Sequence, residues 1–293
     1  MVRRFFAFVL VFICALSSAH ADVLFEGYSK VLAGDAQIGY IVSRYEFDNK
    51  KKQFLSTYFL KTGKGASEIT ESVKAVADSE LAPISYEYTS LAGKEIKTID
   101  ARFKNGTMTA NVKQGGKIQK IEKKIPKGTF LSTFLVYLML KSKEGLKSET
   151  KYEYSAIAEE DAAIYKGEAL VGKEETFNGF KVFKILNTFK DTKFLSYVNE
   201  QGQVLGTNAL AQGIETKLVG SPEEATKDQP YSANILKTLF GNIPAGLGNV
   251  VAESEKSKRD QLKAPPASKE VGVPQGQGII IKAQPDKTEG KGN

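Results

Sequence analysis

Hydrophobic and polar residues alternate in short runs along most of this chain, and one stretch breaks the rhythm. From Val23 to Val219 the runs are short and end in turn residues, the pattern of an antiparallel meander. Ile41, Tyr45 and Phe47 share one face of an early strand, and Asp48-Asn49-Lys50-Lys51 turns the chain into Phe54 to Leu60. Beyond Thr62-Gly63-Lys64-Gly65 a weaker strand is predicted over Glu68 to Val76. Ile84, Tyr86 and Tyr88 alternate with polar neighbours, as do Ile99, Ala101 and Phe103. Asn105-Gly106 predicts a type I′ hairpin, whose two central residues need positive φ, into Met108, Ala110 and Val112. Gly115-Gly116 then leads to a strand over Ile118 to Ile125, which Pro126-Lys127-Gly128 ends.

The break comes at Thr129 to Lys141. Phe130, Phe134, Tyr137, Leu138 and Lys141 fall at helical spacing, and Leu131, Leu135, Val136 and Leu140 widen the stripe almost around the helix. A helix apolar nearly all round is buried. This one is too short for a membrane span, which needs roughly 20 residues. The pattern predicts a central apolar helix over 129–141, a plug around which the strands wrap.

Strands resume with Tyr152, Tyr154 and Ala156 on one face, then Ile164 to Val171 and Glu174 to Phe177. Asn178-Gly179 predicts a second hairpin, into a strand over Phe180 to Phe189 that is apolar on both faces and so belongs centrally or against the helix. Thr192 to Asn199, Val204 to Leu205 and Gly213 to Val219 follow. Ser221-Pro222-Glu223-Glu224-Ala225 reads as a helix start, with Ser as N-cap and Pro at the first helical position. A short helix over Ala233 to Phe240 and a loop at Ile243 to Gly248 form an extension over 227–251. From about Ala252 to Asn293 the chain is rich in Lys, Glu, Pro, Gly and Gln, and disorder is expected. Gly278-Ile279-Ile280-Ile281-Lys282 is a β-prone island in that tail, either a strand that docks on a sheet edge or an isolated apolar triplet.

The first residues change the compartment. Arg3 and Arg4, the apolar run Phe5 to Leu16 and the small-x-small site Ala19-His20-Ala21 form a secretory signal over 1–21, cleaved after Ala21. The strongly apolar run favours ordinary secretion over the twin-arginine route and a cleaved signal over an anchor. The expected location is the periplasm, with no membrane span after cleavage. The chain's only Cys (Cys14) and only His (His20) leave with the signal. The mature chain therefore has no thiol or imidazole, which excludes Cys-His and Ser-His-Asp catalysis and His- or Cys-ligated zinc. Its 272 residues are enough to hold a core without disulfides.

The mature charge is mild, 39 Lys and Arg against 34 Asp and Glu. Nucleic acid is an improbable partner for an exported chain, whereas anionic surfaces remain open. Lys117, Lys120, Lys123, Lys124 and Lys127, with one opposing charge at Glu122, read either as an anionic surface contact or, preferably, as an edge strand protected by lysines. Ser148-Glu-Thr-Lys151 and Lys61-Thr-Gly63 match fragments of serine penicillin-interacting enzymes, but in reversed order and without the third motif. Glu159-Glu160-Asp161 lacks the spacing of a calcium loop and reads as a solvated acidic turn. Paired-carboxylate glycosidase chemistry usually comes with aromatic sugar platforms, and the chain has no Trp. The expectation is a non-enzyme without cofactor or metal.

Several segments in order carry a resemblance: Ala33-Gly-Asp-Ala-Gln-Ile-Gly-Tyr40, Pro83-Ile-Ser-Tyr-Glu-Tyr88, the apolar stretch after Ile125-Pro126, Tyr152-Glu-Tyr154, Glu174-Glu-Thr-Phe-Asn-Gly179, Tyr197-Val-Asn-Glu-Gln-Gly202 and Pro222-Glu-Glu-Ala225. Over 22–226 the chain resembles an uncharacterised family of periplasmic β-domains and, more distantly, the open half-barrel of LolA-like lipoprotein carriers. The resemblance implies a mainly β (α+β) fold, an antiparallel meander curled as an open or half barrel around one apolar helix. It carries no catalytic residues. It implies apolar residues on the concave side, for which Phe130, Phe134, Tyr137 and Leu138 are the candidates, binding a lipid, lipoprotein or other apolar ligand. The alternative is an envelope scaffolding module with a filled core, contacting a protein partner through its surface and tail. Whether the barrel is hollow or filled is open at this point.

Overall fold

The computed structural model describes residues 21–263, and in them the meander is nearly continuous. The signal segment before Ala21 and the Gly278–Lys282 island lie outside the described residues. Eight strands come first: β1 (Asp22–Ala33), β2 (Ala36–Asp48), β3 (Gln53–Thr62), β4 (Ile69–Asp78), β5 (Pro83–Ala92), β6 (Glu95–Lys104), β7 (Thr107–Gln114) and β8 (Lys117–Lys124). A two-residue β9 (Phe130–Leu131), a 3-10 turn at Ser132–Phe134 and α1 (Leu135–Lys141) follow. Six more strands are β10 (Lys151–Ala158), β11 (Ala163–Phe177), β12 (Phe180–Phe189), β13 (Thr192–Val198), β14 (Val204–Ala209) and β15 (Ile214–Val219). The described chain closes with α2 (Pro222–Thr226), α3 (Ala233–Phe240) and α4 (Val250–Lys263).

The strands form one 15-stranded sheet in the order β8-β7-β6-β5-β4-β3-β2-β1-β15-β14-β13-β12-β11-β10-β9. All pairs are antiparallel except β9 with β10, and the two end strands, β8 and β9, do not pair with each other. Both predicted hairpin turns have the required geometry, with Asn105 at φ 50° before Gly106 at 68°, and Asn178 at 51° before Gly179 at 85°. The open antiparallel sheet curls. Ala75, Tyr86, Ala101, Ala110 and Ile121 stand opposite one another across β4 to β8 on one face. The alanines leave room for Phe130, Leu131 and Phe134, which share a cluster with Ala156 and Ile157 of β10. Strands so far apart in the order meet in one core only if the sheet wraps round it. Each large side chain buried there contributes about 1.5–3 kcal/mol.

The expected helix over 129–141 is shorter and begins later. Gly128, at φ 81°, turns the chain, and Phe130 and Leu131 then pair with Ala156 and Ile157. Ser132–Phe134 form the 3-10 turn, and only Leu135–Lys141 are α-helical. A β-bridge and a tight turn carrying apolar residues copy the periodicity of a helix buried all round. Elsewhere, Ile164–Val171 and Glu174–Phe177 prove to be one strand, β11, with an irregularity between Val171 and Glu174. Val204–Leu205 extends to Ala209 and pairs with β15. Ser221 caps α2 as expected, accepting from the Glu224 amide at 3.3 Å, with Pro222 in the first turn.

The disorder expected from Ala252 is overturned as far as Lys263 by α4. The cause is Asn249, fully buried, whose side-chain oxygen accepts from the amides of Val251 and Ala252 while its side-chain amide donates to the carbonyls of Glu26 and Gly246. The extension covers the outer face of the central strands. Tyr28, Tyr40, Val42 and Phe59 there pack with Val219, Ala225, Leu236 and Phe240.

Candidate functional site

The opposite face of the same strands is not filled. Phe25 stands beside Tyr45, Gly27 beside Ser43 and Ser29 beside Ile41 across β1 and β2, and Ser43 stands beside Tyr58 of β3. Thr207 and Thr216 come from β14 and β15, and Val204 from the start of β14. Facing them are Thr133, Val136 and Tyr137 of the 3-10 turn and α1. Between these walls lies a cavity of about 360 Å³. Gly202, in the β13–β14 turn, lines it at φ 80°. A Cβ there would lie 2.4 Å from Leu140 Cδ1 and 3.0 Å from Val136 Cγ1, so the close approach to α1 and the positive φ both favour glycine.

Aromatic rings build one wall. Tyr137 lies 5.2 Å from Tyr45 and 5.5 Å from Phe54 between ring centroids, and Phe134 lies 6.3 Å from both. Tyr45 donates to the Thr133 carbonyl at 3.1 Å, and the hydroxyls of Ser56 and Thr133 are 3.0 Å apart, which fixes the 3-10 turn against the sheet. Burial pushes the hydroxyls of Tyr45, Tyr58 and Tyr137 above the usual tyrosine range, so all three stay neutral.

Glu159 anchors the same turn from the other side. It is buried, accepting from the Ser132 hydroxyl at 2.5 Å and from the Thr133 amide at 3.2 Å. Its carboxyl is pushed up to about 7, because burial outweighs those two hydrogen bonds, which favour the anion. This corrects the solvated acidic turn read from Glu159-Glu160-Asp161. Glu160 and Asp161 do reach Lys190, at 2.5 and 2.7 Å, but Glu159 turns inward beneath Ser132.

Of the four residues singled out in the apolar stretch, Tyr137 lines the cavity. Phe130 and Phe134 are buried in the core beside it, and Leu138 packs against that core. Lys117, Lys120, Lys123, Lys124 and Lys127 are exposed on β8 and the turn after it, none of them in the cavity lining. β8 is an end strand, and lysines there oppose pairing with another edge. Replacing Lys117, Lys120 and Lys124 together by threonine is expected to give concentration-dependent self-association in light scattering. A variant that stays as dispersed as the parent would show that these lysines do not guard the edge.

Lys61, of the Lys-Thr-Gly fragment, is buried on β3 and paired with Glu68 at 3.0 Å, while Lys151 pairs with Glu153 and Glu168 at the surface of β10. The fragments therefore share no site. Among the described residues no group of three or more His, Cys, Asp or Glu is placed to hold a metal, and no helix is long and apolar enough to cross a membrane.

No family model matches the chain, and no curated protein matches it. Among solved structures it is similar to a crystal structure of a beta-barrel-like protein of a domain of unknown function, DUF1849, from Brucella abortus. The identity is 12% and the TM-score 0.49, over 66% of this chain and 94% of that one.

Proposed function

We propose that this chain is a non-enzymatic binding protein that holds an apolar ligand between the sheet and α1. The observation that carries the reading is the cavity of about 360 Å³, lined by Phe25, Ile41, Tyr45, Val136, Tyr137 and Val204. It falls in the size range of small-molecule sites. For scale, an engineered apolar cavity of about 150 Å³ binds benzene. The export signal read in 1–21 and the absence of thiols from the rest of the chain support work in the periplasm. The carrier likeness of the sequence supports an acyl chain as the occupant.

The test is native mass spectrometry of the mature protein from its own envelope, with uptake of a fluorescent acyl probe as the second readout. A copurifying lipid or a saturable probe signal is expected. Ser43→Phe, which projects a ring into the cavity, should abolish probe uptake and leave the melting temperature within a few degrees. A clean apo mass together with no probe uptake would overturn the reading. A second reading, docking of an envelope protein, rests on the unpaired edge of β8. Crosslinking from Lys120 in cells that captures no protein would count against it.

A further inference from the structure

The cavity has a composition that says more than its size. None of the residues that line it carries a charge. The cations of the three strands behind it, Lys30, Arg44 and Lys61, all point to the other side of the sheet. There each is paired, with Glu224 at 2.8 Å, Glu26 at 2.6 Å and Glu68 at 3.0 Å. Two carboxyls near the lining are also engaged, the buried Glu159 by Ser132 and Thr133, and the half-buried Glu71 by the Tyr88 hydroxyl at 3.2 Å. An anion entering the cavity meets no countercharge, only two carboxyl groups beyond the wall.

The lining does have hydroxyls to spare. Thr207 and Thr216 bond each other at 2.9 Å, and Tyr45 is bonded to Thr133. Among the described residues, the hydroxyls of Ser29, Ser43, Tyr58 and Tyr137 make no hydrogen bond to the protein. Free neutral donors without a cation match an acceptor that bears no formal charge, such as an ester or amide carbonyl. A carboxylate or ammonium would lose its water here and find no ion partner, a cost that amounts to kcal/mol.

Building on the apolar-ligand reading above, we propose that the cavity selects an acyl chain whose polar end is uncharged, an ester, amide or alcohol, over the free acid or an alkylammonium of equal length.

The experiment displaces the acyl probe from the full mature chain with monolaurin, laurate and dodecyltrimethylammonium, each below its micelle concentration. Monolaurin is expected to compete at concentrations at least about tenfold lower than either charged compound. Ser43→Ala and Tyr137→Phe, which remove one donor each, should weaken monolaurin by roughly 2- to 10-fold. Laurate or dodecyltrimethylammonium competing as well as monolaurin would overturn this inference while leaving the apolar-ligand reading intact. Probe uptake that none of the three displaces would overturn the inference in the same way. Absence of any probe uptake by the parent protein would overturn both.

Discussion

Arg44→Ala is expected to cost about 3–5 kcal/mol and to free the segment from Gly241 to Asn249 from the sheet. The guanidinium sits at the centre of a junction that ties that segment down, beside the bonds from the Tyr28 hydroxyl to the Pro244 carbonyl and from the Glu26 amide to the Gly248 carbonyl. Its Nε donates to Glu26 Oε2 at 2.8 Å, Nη1 to the Phe240 carbonyl at 3.1 Å and Nη2 to Asn242 Oδ1 at 3.1 Å, and the group stacks 5.3 Å from the Phe240 ring. The other oxygen of Glu26 accepts from the Gly246 amide at 2.7 Å. Glu26 and Arg44 side chains are each only 10% exposed, so truncating Arg44 strands a buried carboxylate. Urea denaturation should show the loss in stability, and limited proteolysis should find new cleavage between Gly241 and Asn249. The double variant Glu26→Leu with Arg44→Met removes both charges and should recover much of the loss, because the penalty is the unpaired charge. A single-variant cost below about 1 kcal/mol, with unchanged proteolysis, would refute this account of the junction.

The strands were legible because two signals coincide in them. Alternation marks the face, and pairs such as Asn105-Gly106 and Asn178-Gly179 supply backbone at positive φ where the chain reverses. What alternation does not encode is the partner. The pairing of β1 with β15 joins residues nearly two hundred positions apart, and it places the halves of the meander side by side in one sheet. The apolar stretch misled for a related reason: Phe130 and Leu131 have their backbone taken by β10, which local spacing does not register. Composition misled at α4, where a Lys- and Glu-rich sequence is helical because Asn249, buried in the junction, caps it.

The cavity was the least legible part. A search for apolar stripes finds the residues that fill a core, and it duly picked out Phe130 and Phe134, which are buried in one. A hollow forms where the stripe lapses into small residues on an inward face. Gly27, Ser29 and Ser43 are such a lapse, standing among Phe25, Ile41 and Tyr45. The usable signal was therefore the small residues between large ones on β1 and β2, read together with Tyr137 opposite. The inward turn of Glu159 had no local signal, since its two acidic neighbours do go to a surface lysine.

Glu159→Gln is expected to remove a pH dependence of about 3 kcal/mol from the protein's stability. The folded state raises this carboxyl from the ordinary 4.5 to about 7, so the folded protein holds the proton more tightly than the unfolded chain. The stabilisation from Glu159 is then complete below about 4.5, declines as pH rises, and is gone once pH passes about 7. Burial raises Glu46 and Glu71 as well, and they act in the same direction, so the difference between parent and variant isolates Glu159. Glutamine keeps one oxygen, which can still accept from the Thr133 amide, places an amide that can donate to the Ser132 hydroxyl oxygen where the second carboxyl oxygen stood, and cannot ionise. Denaturation midpoints at pH 5 and pH 8 should lie closer together for the variant than for the parent, and the variant should be the more stable protein at pH 8. An equal slope in both proteins would show that Glu159 does not titrate there. The hydrogen bonds from Ser132 and Thr133 favour the anion, so what destabilises the folded state at high pH is the burial of the charge and not a weaker hold on the turn.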